Sequence, residues 1–275
     1  MEKFLVRVYL RSSIGSHEDP VLVRRFIEYY KFLGIEDFFI CLNEKGDSDK
    51  VRQVLSSMGI SPATTWRGDY SEYIRLEKLN KMISGLSSRD WVISADVDEF
   101  QHYPDSLADI IEESESGGYE WIQGGIVDRF ALGGALPSAL CPSTPLEQQF
   151  PIEGSVHKIK KGIKLKTAID GYEGREFQPK ITLHKKRHSL SRGFHRLGNF
   201  DKSSSSKLRA HPMRIKVNHF KWFGSVLQKL INIQQEDLNA KKPSNAKKDH
   251  IINHIKEEGK INLKHFSIKK NNSGL

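Results

Sequence analysis

Trp91-Val92-Ile93-Ser94-Ala95-Asp96-Val97-Asp98-Glu99-Phe100 is the stretch whose reading decides the fold of this chain. Its first half is a short run of strand formers bounded by polar residues, which reads as a buried strand. Its second half sets three carboxylates within four positions. In open α/β sheets, ligands bind in the crevice beyond the carboxyl ends of the strands, so such a strand would deliver the acids to that crevice on a rigid support. Asp96 and Asp98 cannot both be held there as bare charges, because removing each ion from water costs several kcal/mol. They need a cation. Oxygen-only ligands at this spacing suit Mg2+ or Mn2+ better than zinc. A solvated turn after a strand is the plain alternative, and the apolar run before it, with Glu99 and Phe100 after it, weighs against that alternative.

Working outward, the chain before this strand alternates β and α. Phe4 to Leu10 reads as a strand, Pro20 opens a helix, and apolar residues at helical spacing (Leu22, Phe26, Ile27, Tyr30, Leu33) carry it to Gly34. Ile35 to Leu42 is a second strand, Asp49 to Met58 a second helix, Pro62 to Trp66 a short strand, and Tyr70 to Leu86 a third helix. Strand, helix and strand joined by short turns predict a parallel sheet. Beyond the acids, Asp105 to Glu115 reads as a helix and Tyr119 to Val127 as a strand. Gly133 to Gly154, rich in Pro, Gly and Ser, predicts a long loop. Strand-like pieces follow at Ile163 to Ile169, Lys180 to His184 and Arg214 to Phe220. Ser203 to Ser206 reads as a loop tip. Gly224 to Leu238 and Asp249 to Glu258 read as helices, and Asn271 to Leu275 as a frayed end.

The net charge of +9 is divided unevenly. Residues 1–150 carry 15 Lys and Arg against 24 Asp and Glu, a balance of −9; residues 151–275 carry 28 against 10, a balance of +18. An acidic half suits a divalent cation, and a basic half suits phosphates, anionic lipid or nucleic acid. Cys41 and Cys141 lack metal or redox spacing, which points to a reducing, cytoplasmic setting. The N-terminal apolar run is too short for a signal peptide, and no stretch approaches the ~18 apolar residues of a membrane helix. Lys241, Lys242, Lys247 and Lys248 cluster in a linker, for which a solvated linker is the default reading and peripheral contact with the anionic inner membrane surface the sharper one. Val226, Leu227, Leu230, Ile231 and Ile233 form an apolar face that is expected to pack on the domain rather than on lipid.

The segment Asp96-Val97-Asp98-Glu99-Phe100 resembles the DxD segment of GT-A-fold glycosyltransferases, in particular the family 2-like group with a DVDEF signature. Phe26 to Ile35, with its terminal Leu-Gly-Ile, looks like the first helix of that group, and the resemblance continues through Ile126 to Phe130 and Val217 to Trp222. It implies a Rossmann-like GT-A fold: a mixed, mostly parallel sheet flanked by helices, with a C-terminal helical tail. The catalytic domain would span 1–223, its nucleotide-sugar and metal half 1–130 and its acceptor half 131–223, leaving 224–275 as a basic helical extension.

The resemblance further implies a nucleotide-diphosphate sugar as donor and Mn2+ or Mg2+ as cofactor, with Asp96, Asp98 and His219 as metal ligands. Asp96, Arg75, Arg129, Lys221 and Trp66 would contact the donor. A glycan, lipid-linked or other hydroxyl would accept the sugar. An inverting transfer needs a general base; Asp128 is the first candidate, with Glu173, its neighbours Asp170 and Glu176, and His195 also in reach by composition, and spacing does not choose among them. The usual Asn-Glu pair after the first strand is absent: Arg11-Ser12-Ser13 stands there, and Glu18 is the nearest acid. A Mg2+-dependent nucleotidyltransferase is the enzymatic rival, since paired Asp residues also serve phosphoryl chemistry. A basic nucleic-acid-binding protein is the other, but no stacking or zinc motif accompanies the charge, so no specific nucleic acid is expected.

Overall fold

The computed structural model describes residues 7–46, 48–159, 162–166, 179–197, 209–224, 226–227, 230–231, 234–235, 246–261 and 263. The contacts divide the chain into two units: Met1–Ile126 with Glu173–Asn218, and Val127–Tyr172 with His219–Leu275.

The first unit opens with the expected alternation: β1 (Val8–Gly15), α1 (Pro20–Phe32), β2 (Asp37–Asn43), α2 (Asp49–Ser57), β3 (Thr64–Trp66), α3 (Glu72–Met82) and β4 (Trp91–Ser94). Local chemistry sets the bounds. The Asp19 carboxylate accepts the Val21 N–H at 2.7 Å, Pro20 needs no such partner, and Leu22, Val23, Phe26, Ile27 and Tyr30 bury one face of α1. Ser71 caps α3, which therefore starts two residues after Tyr70 and ends at Met82, short of the expected Leu86. β4 is buried at all four positions, as a strand covered on both faces must be.

Strands β3, β2, β1 and β4 lie side by side and parallel. Beyond β4 the sheet reverses. β9 (Pro179–Lys185) runs antiparallel to β4, and β6 (Trp121–Phe130) runs antiparallel to β9. The order continues to β10 (Ala210–His219) and β5 (Glu99–His102), with α4 (Leu107–Gly117) between β5 and β6 in sequence. The result is the mixed, Rossmann-like sheet flanked by helices that the sequence predicts. β5 is a strand the sequence did not suggest: the acidic segment does not leave the sheet but turns and re-enters it.

In the second unit, the last residues of β6 pair with β7 (Ile152–Ile159), and β7 pairs with β8 (Gly162–Lys166). The expected loop from Gly133 to Gly154 is interrupted by α5 (Leu146–Gln149), which follows Pro145, and by the start of β7, where Ile152 and Glu153 pair with Phe130 and Arg129. Apolar burial and a strand partner override the loop-like composition there. Phe130 and Trp222 stack at 5.5 Å between ring centres and share a core with Val226, with Ile251 and Ile255 of α6 (Ala246–Glu258), and with Ile261 and Leu263. Leu227 and Leu230 pack against this core, so these positions of the expected apolar face are used inside the unit; Ile233 lies outside the described residues.

Candidate functional site

Asp96, Val97, Asp98 and Glu99 form a tight turn from β4 into β5. The Glu99 N–H donates to the Asp96 carbonyl at 2.9 Å, and the Asp96 N–H donates to Glu99 Oε2 at 3.1 Å. The turn thus fixes its own backbone and aims its carboxylates. Asp96 keeps a third of its side chain exposed, while Glu99 is buried at 2%.

Two side chains from distant parts of the first unit supply the positive charge that these acids need. Arg75 of α3 donates from Nη2 to Asp96 Oδ1 and, at 2.9 Å, from Nη1 to Glu72 Oε1. Lys180 of β9 donates from Nζ to Asp96 Oδ2 at 2.8 Å and to Glu99 Oε1 at 2.6 Å, with its own side chain 2% exposed. Burial by itself would push the Asp96 carboxyl up; Arg75 and Lys180 outweigh it and bring the group down to about 2. Burial likewise disfavours the Lys180 ammonium, but Asp96 and Glu99 more than restore it and raise its pKa.

A third cation, Arg11 of β1, lies fully buried. Its Nε donates to Ser94 Oγ at 2.8 Å and its Nη1 to Asn80 Oδ1 at 2.8 Å, while Nη2 has no hydrogen-bond partner among the described residues. Burial first, and then Arg75, lower its pKa to about 9. Ser94 in turn contacts His184 Nε2 at 3.2 Å, and His184 Nδ1 donates to the Lys185 carbonyl. This pattern fixes His184 as the neutral Nδ1–H tautomer, and burial, with Arg11 second, lowers its pKa to about 3.

The Phe194 ring meets all three cations, 5.5 Å from Arg11, 4.7 Å from Arg75 and 4.9 Å from Lys180. Contacts of this kind contribute about 0.5–2 kcal/mol each. They help to hold a residue whose φ of 57° is left-handed and costs a side chain about 1–3 kcal/mol. Gly193, also left-handed, precedes it and donates its N–H to Glu72 Oε1 at 3.0 Å, which ties this loop to α3. His195 follows, its Nδ1 donating to the Pro179 carbonyl at 2.7 Å; burial is the main cause that lowers its pKa and keeps the ring neutral, with Nε2 as the basic atom.

The second unit has its own cluster. Asp128, near the end of β6, is 6% exposed at its side chain and accepts from His219 Nδ1 at 2.8 Å and from Lys221 Nζ at 3.1 Å. Burial opposes its charge, yet Lys221 and His219 hold the carboxyl below the usual range. A histidine that donates Nδ1–H to a buried carboxylate has its orientation and tautomer set, so that Nε2 is the basic atom. The next residue, Arg129, donates from Nε to the Phe150 carbonyl at 3.0 Å and from Nη1 to Glu153, which engages it in the β6–β7 connection.

The structure therefore joins Arg75 to Asp96, with Asp98 two residues on in the same turn and His195 close by through the Phe194 loop, and separately joins Asp128, His219 and Lys221. Asp96 and Asp98 belong to the first unit and His219 to the second. Trp66 is 8% exposed within an apolar cluster that includes Cys41, Leu79 and Phe194, and its indole N–H has no hydrogen-bond partner among the described residues. Glu173, with Asp170 and Glu176, lies outside the described residues, as do Lys241 and Lys242. Among the described residues, no three His, Cys, Asp or Glu side chains converge as a metal cluster, and no helix is long and apolar enough to cross a membrane.

Lys180, Arg11, Glu72 and Phe194 are site residues that sequence reading did not single out. For Arg11 the sequence misleads: the polar run after Leu10 reads as a loop, whereas β1 continues to Gly15 and buries Arg11 inside the sheet. For Lys180, 84 residues from Asp96, no local signal marks the pairing.

No protein-family model matches the chain, and no curated protein matches it. Among solved structures, the chain is similar to a 4-diphosphocytidyl-2C-methyl-D-erythritol synthase at 13% identity and a TM-score of 0.39, over 84% of this chain and 99% of that one. It is also similar to TarS of S. aureus at 9% identity and a TM-score of 0.28, over 52% of this chain and 26% of that one. Likeness at this level bears on neither substrate nor reaction, which rest on the side chains described above.

Proposed function

We propose that this chain is a glycosyltransferase that moves a sugar from a nucleotide-diphosphate donor to an acceptor hydroxyl, with Mn2+ or Mg2+ as cofactor. The observation that carries this reading is the turn Asp96–Glu99 at the carboxyl end of β4, in the parallel part of the sheet, with Arg75 and Lys180 converging on it. Carboxylates and cations alternating at one strand end suit a ligand that carries both signs, a diphosphate with its metal.

Asp96 and Asp98 carry hard carboxylate oxygens of the kind Mg2+ and Mn2+ prefer, and at Asp96 the ion would have to displace Arg75 or Lys180. When bound, such an ion stabilises the negative charge that builds on a departing diphosphate. Within the chain, Arg75 is the group that would add a second positive charge beside those phosphate oxygens. Phe194 and the Gly193 N–H keep Arg75 and Glu72 in place. Transfer to a hydroxyl needs a proton acceptor. We assign that role to His195, which lies in the first unit with the Asp96 turn and is held neutral there chiefly by burial. Asp128, the first candidate from sequence, belongs to the second unit, where it is buried and accepts from His219 and Lys221.

The test is stabilisation by ligands, since whatever binds only the folded state raises its apparent stability. Nucleoside diphosphates and nucleotide sugars, each with and without Mn2+, are expected to raise the melting temperature for one nucleobase, and Asp98→Ala is expected to abolish the Mn2+-dependent part. A melting temperature unmoved by every ligand in the panel would reject the reading.

A further inference from the structure

Among the described residues the buried cations Arg75, Lys180 and Arg129 each meet a carboxylate: Arg75 meets Asp96 and Glu72, Lys180 meets Asp96 and Glu99, and Arg129 meets Glu153. Arg11, which is 0% exposed, meets none among them. Its Nε and Nη1 donate to the neutral oxygens of Ser94 and Asn80 at 2.8 Å each, and its Nη2 has no hydrogen-bond partner among the described residues. Burial, and then Arg75, bring its pKa down to about 9, which leaves it a cation at neutral pH. A buried charge without an opposite charge is costly, and proteins depart from full pairing mainly at functional sites, where a ligand brings the partner. The position of Arg11 narrows the ligand. It pairs in register with Ser94, two residues and about 7 Å of extended strand behind Asp96. With the diphosphate at the Asp96 turn, a group that reaches Arg11 lies beyond the phosphates. A nucleotide sugar carries a neutral nucleoside at one end and its sugar at the other, so only the sugar can bring a negative charge there, as the carboxylate of a uronic acid.

We propose that Arg11 selects the donor sugar, taking a uronic acid through its carboxylate. The inference rests on the nucleotide-sugar reading above and adds to it the class of sugar. A carboxylate on Nη2 supplies both the hydrogen bond and the opposite charge that the guanidinium lacks, a charge-assisted pair that the hydroxymethyl group of a neutral sugar cannot make. A neutral sugar would also leave the buried cation uncompensated, which discriminates against it. Ser94 and Asn80 fix the plane of the guanidinium without neutralising it. Phe194 is the group that makes room: its ring lies 5.5 Å from Arg11 and 4.7 Å from Arg75, and its left-handed φ of 57°, next to that of Gly193, makes this turn the strained element that yields to an incoming ring.

The experiment measures dissociation constants by isothermal titration calorimetry on the full chain with Mn2+. The probes are UDP-glucuronate, UDP-galacturonate and GDP-mannuronate, each beside its neutral counterpart UDP-glucose, UDP-galactose or GDP-mannose. The expected result is that one uronate binds about tenfold or more tightly than its neutral counterpart. In Arg11→Met, which replaces the charge by an apolar chain, affinity for that uronate should fall about tenfold or more, while affinity for the neutral sugar changes by less than about threefold. A neutral sugar that binds the wild type as tightly as its uronate overturns the assignment and leaves the functional reading standing. An equal loss of both sugars in Arg11→Met also overturns it, because it puts Arg11 on the phosphates or in the scaffold. Six null results overturn the assignment, and the panel of nucleoside diphosphates then decides the functional reading. If Arg11→Met fails to fold, the wild-type preference decides alone.

Discussion

Replacing Lys180 by Met keeps the stem of the side chain against Phe194 and removes the ammonium that compensates Asp96 and Glu99. The two acids are affected differently. Asp96 retains Arg75 and partial exposure, whereas Glu99 is 2% exposed and loses its bond of 2.6 Å. Breaking a buried pair by removing one partner costs about 3–5 kcal/mol, most of it the price of the stranded charge. The cheapest relief is protonation of Glu99, so the deficit of Lys180→Met should be largest near pH 8 and shrink as pH falls towards about 4, the ordinary range of a glutamate. The wild type behaves in the opposite sense. Its Asp96, held at about 2 against an ordinary 3.8, contributes stability that is complete above the ordinary value and is lost as pH falls towards 2. Urea unfolding of both proteins at pH 8 and pH 4.5, followed by tryptophan fluorescence, measures the difference. Adding Glu99→Gln to Lys180→Met should recover at least about half of the deficit, since it removes the stranded charge. A deficit below about 1 kcal/mol at pH 8, or no recovery in the double variant, would refute the view that Lys180 is the cation the acidic turn needs.

His184 is fully buried and neutral, with its pKa lowered to about 3, so the unfolded chain takes up its proton between pH 6.5 and 3 and the folded chain does not. Stability should therefore fall with pH across that window by up to about 4 kcal/mol from this group, and His184→Gln should flatten the slope; parallel slopes in urea titrations would contradict this. Gly134 has a φ of 73°, and a Cβ there would lie 1.7 Å from the Ile261 carbonyl oxygen. Gly134→Ala should destabilise the second unit by about 3 kcal/mol or more and increase amide exchange around Ile251–Ile261, while leaving β1–β4 protected. Asp128→Asn keeps the shape but loses the buried charge that pairs with His219 and Lys221, and should destabilise the second unit by about 3 kcal/mol or more. A urea midpoint unchanged from that of the wild type would contradict this.

Much of the first unit is legible in its residues. Asp19-Pro20 followed by apolar positions at helical spacing announces α1, and the buried run Trp91–Ser94 announces β4 with its acids at the carboxyl end. That buried acids at a strand end need positive charge also follows from desolvation, but the sequence assigns it to a divalent metal, whereas in the structure Arg75 and Lys180 bring it to Asp96. Which cation supplies it does not follow, because Lys180 reads locally as an ordinary charge in Pro179-Lys180-Ile181-Thr182 and its partners lie 81 and 84 residues away. β5 stays hidden because Glu99-Phe100-Gln101-His102 shows no alternation that separates a strand from a turn; its burial comes from tertiary partners such as Tyr30, whose hydroxyl donates to the Glu99 carbonyl. The Pro- and Gly-rich segment after Phe130 reads as a loop because composition reports local preference, while the pairing of β7 with β6 is a long-range event. Asp128 is legible as an acid at a strand end, and His219 through the family resemblance of the motif around it. Their 2.8 Å contact, across 91 residues of sequence, is not.

The most direct measurement is product analysis on the full chain. Incubated with nucleotide sugars, Mn2+ and a mixture of hydroxyl acceptors, the protein should release nucleoside diphosphate from one donor, and Asp98→Ala should not. Release of pyrophosphate from a nucleoside triphosphate and a sugar phosphate, with no diphosphate from any nucleotide sugar, would contradict the assignment and make the chain a nucleotidyltransferase.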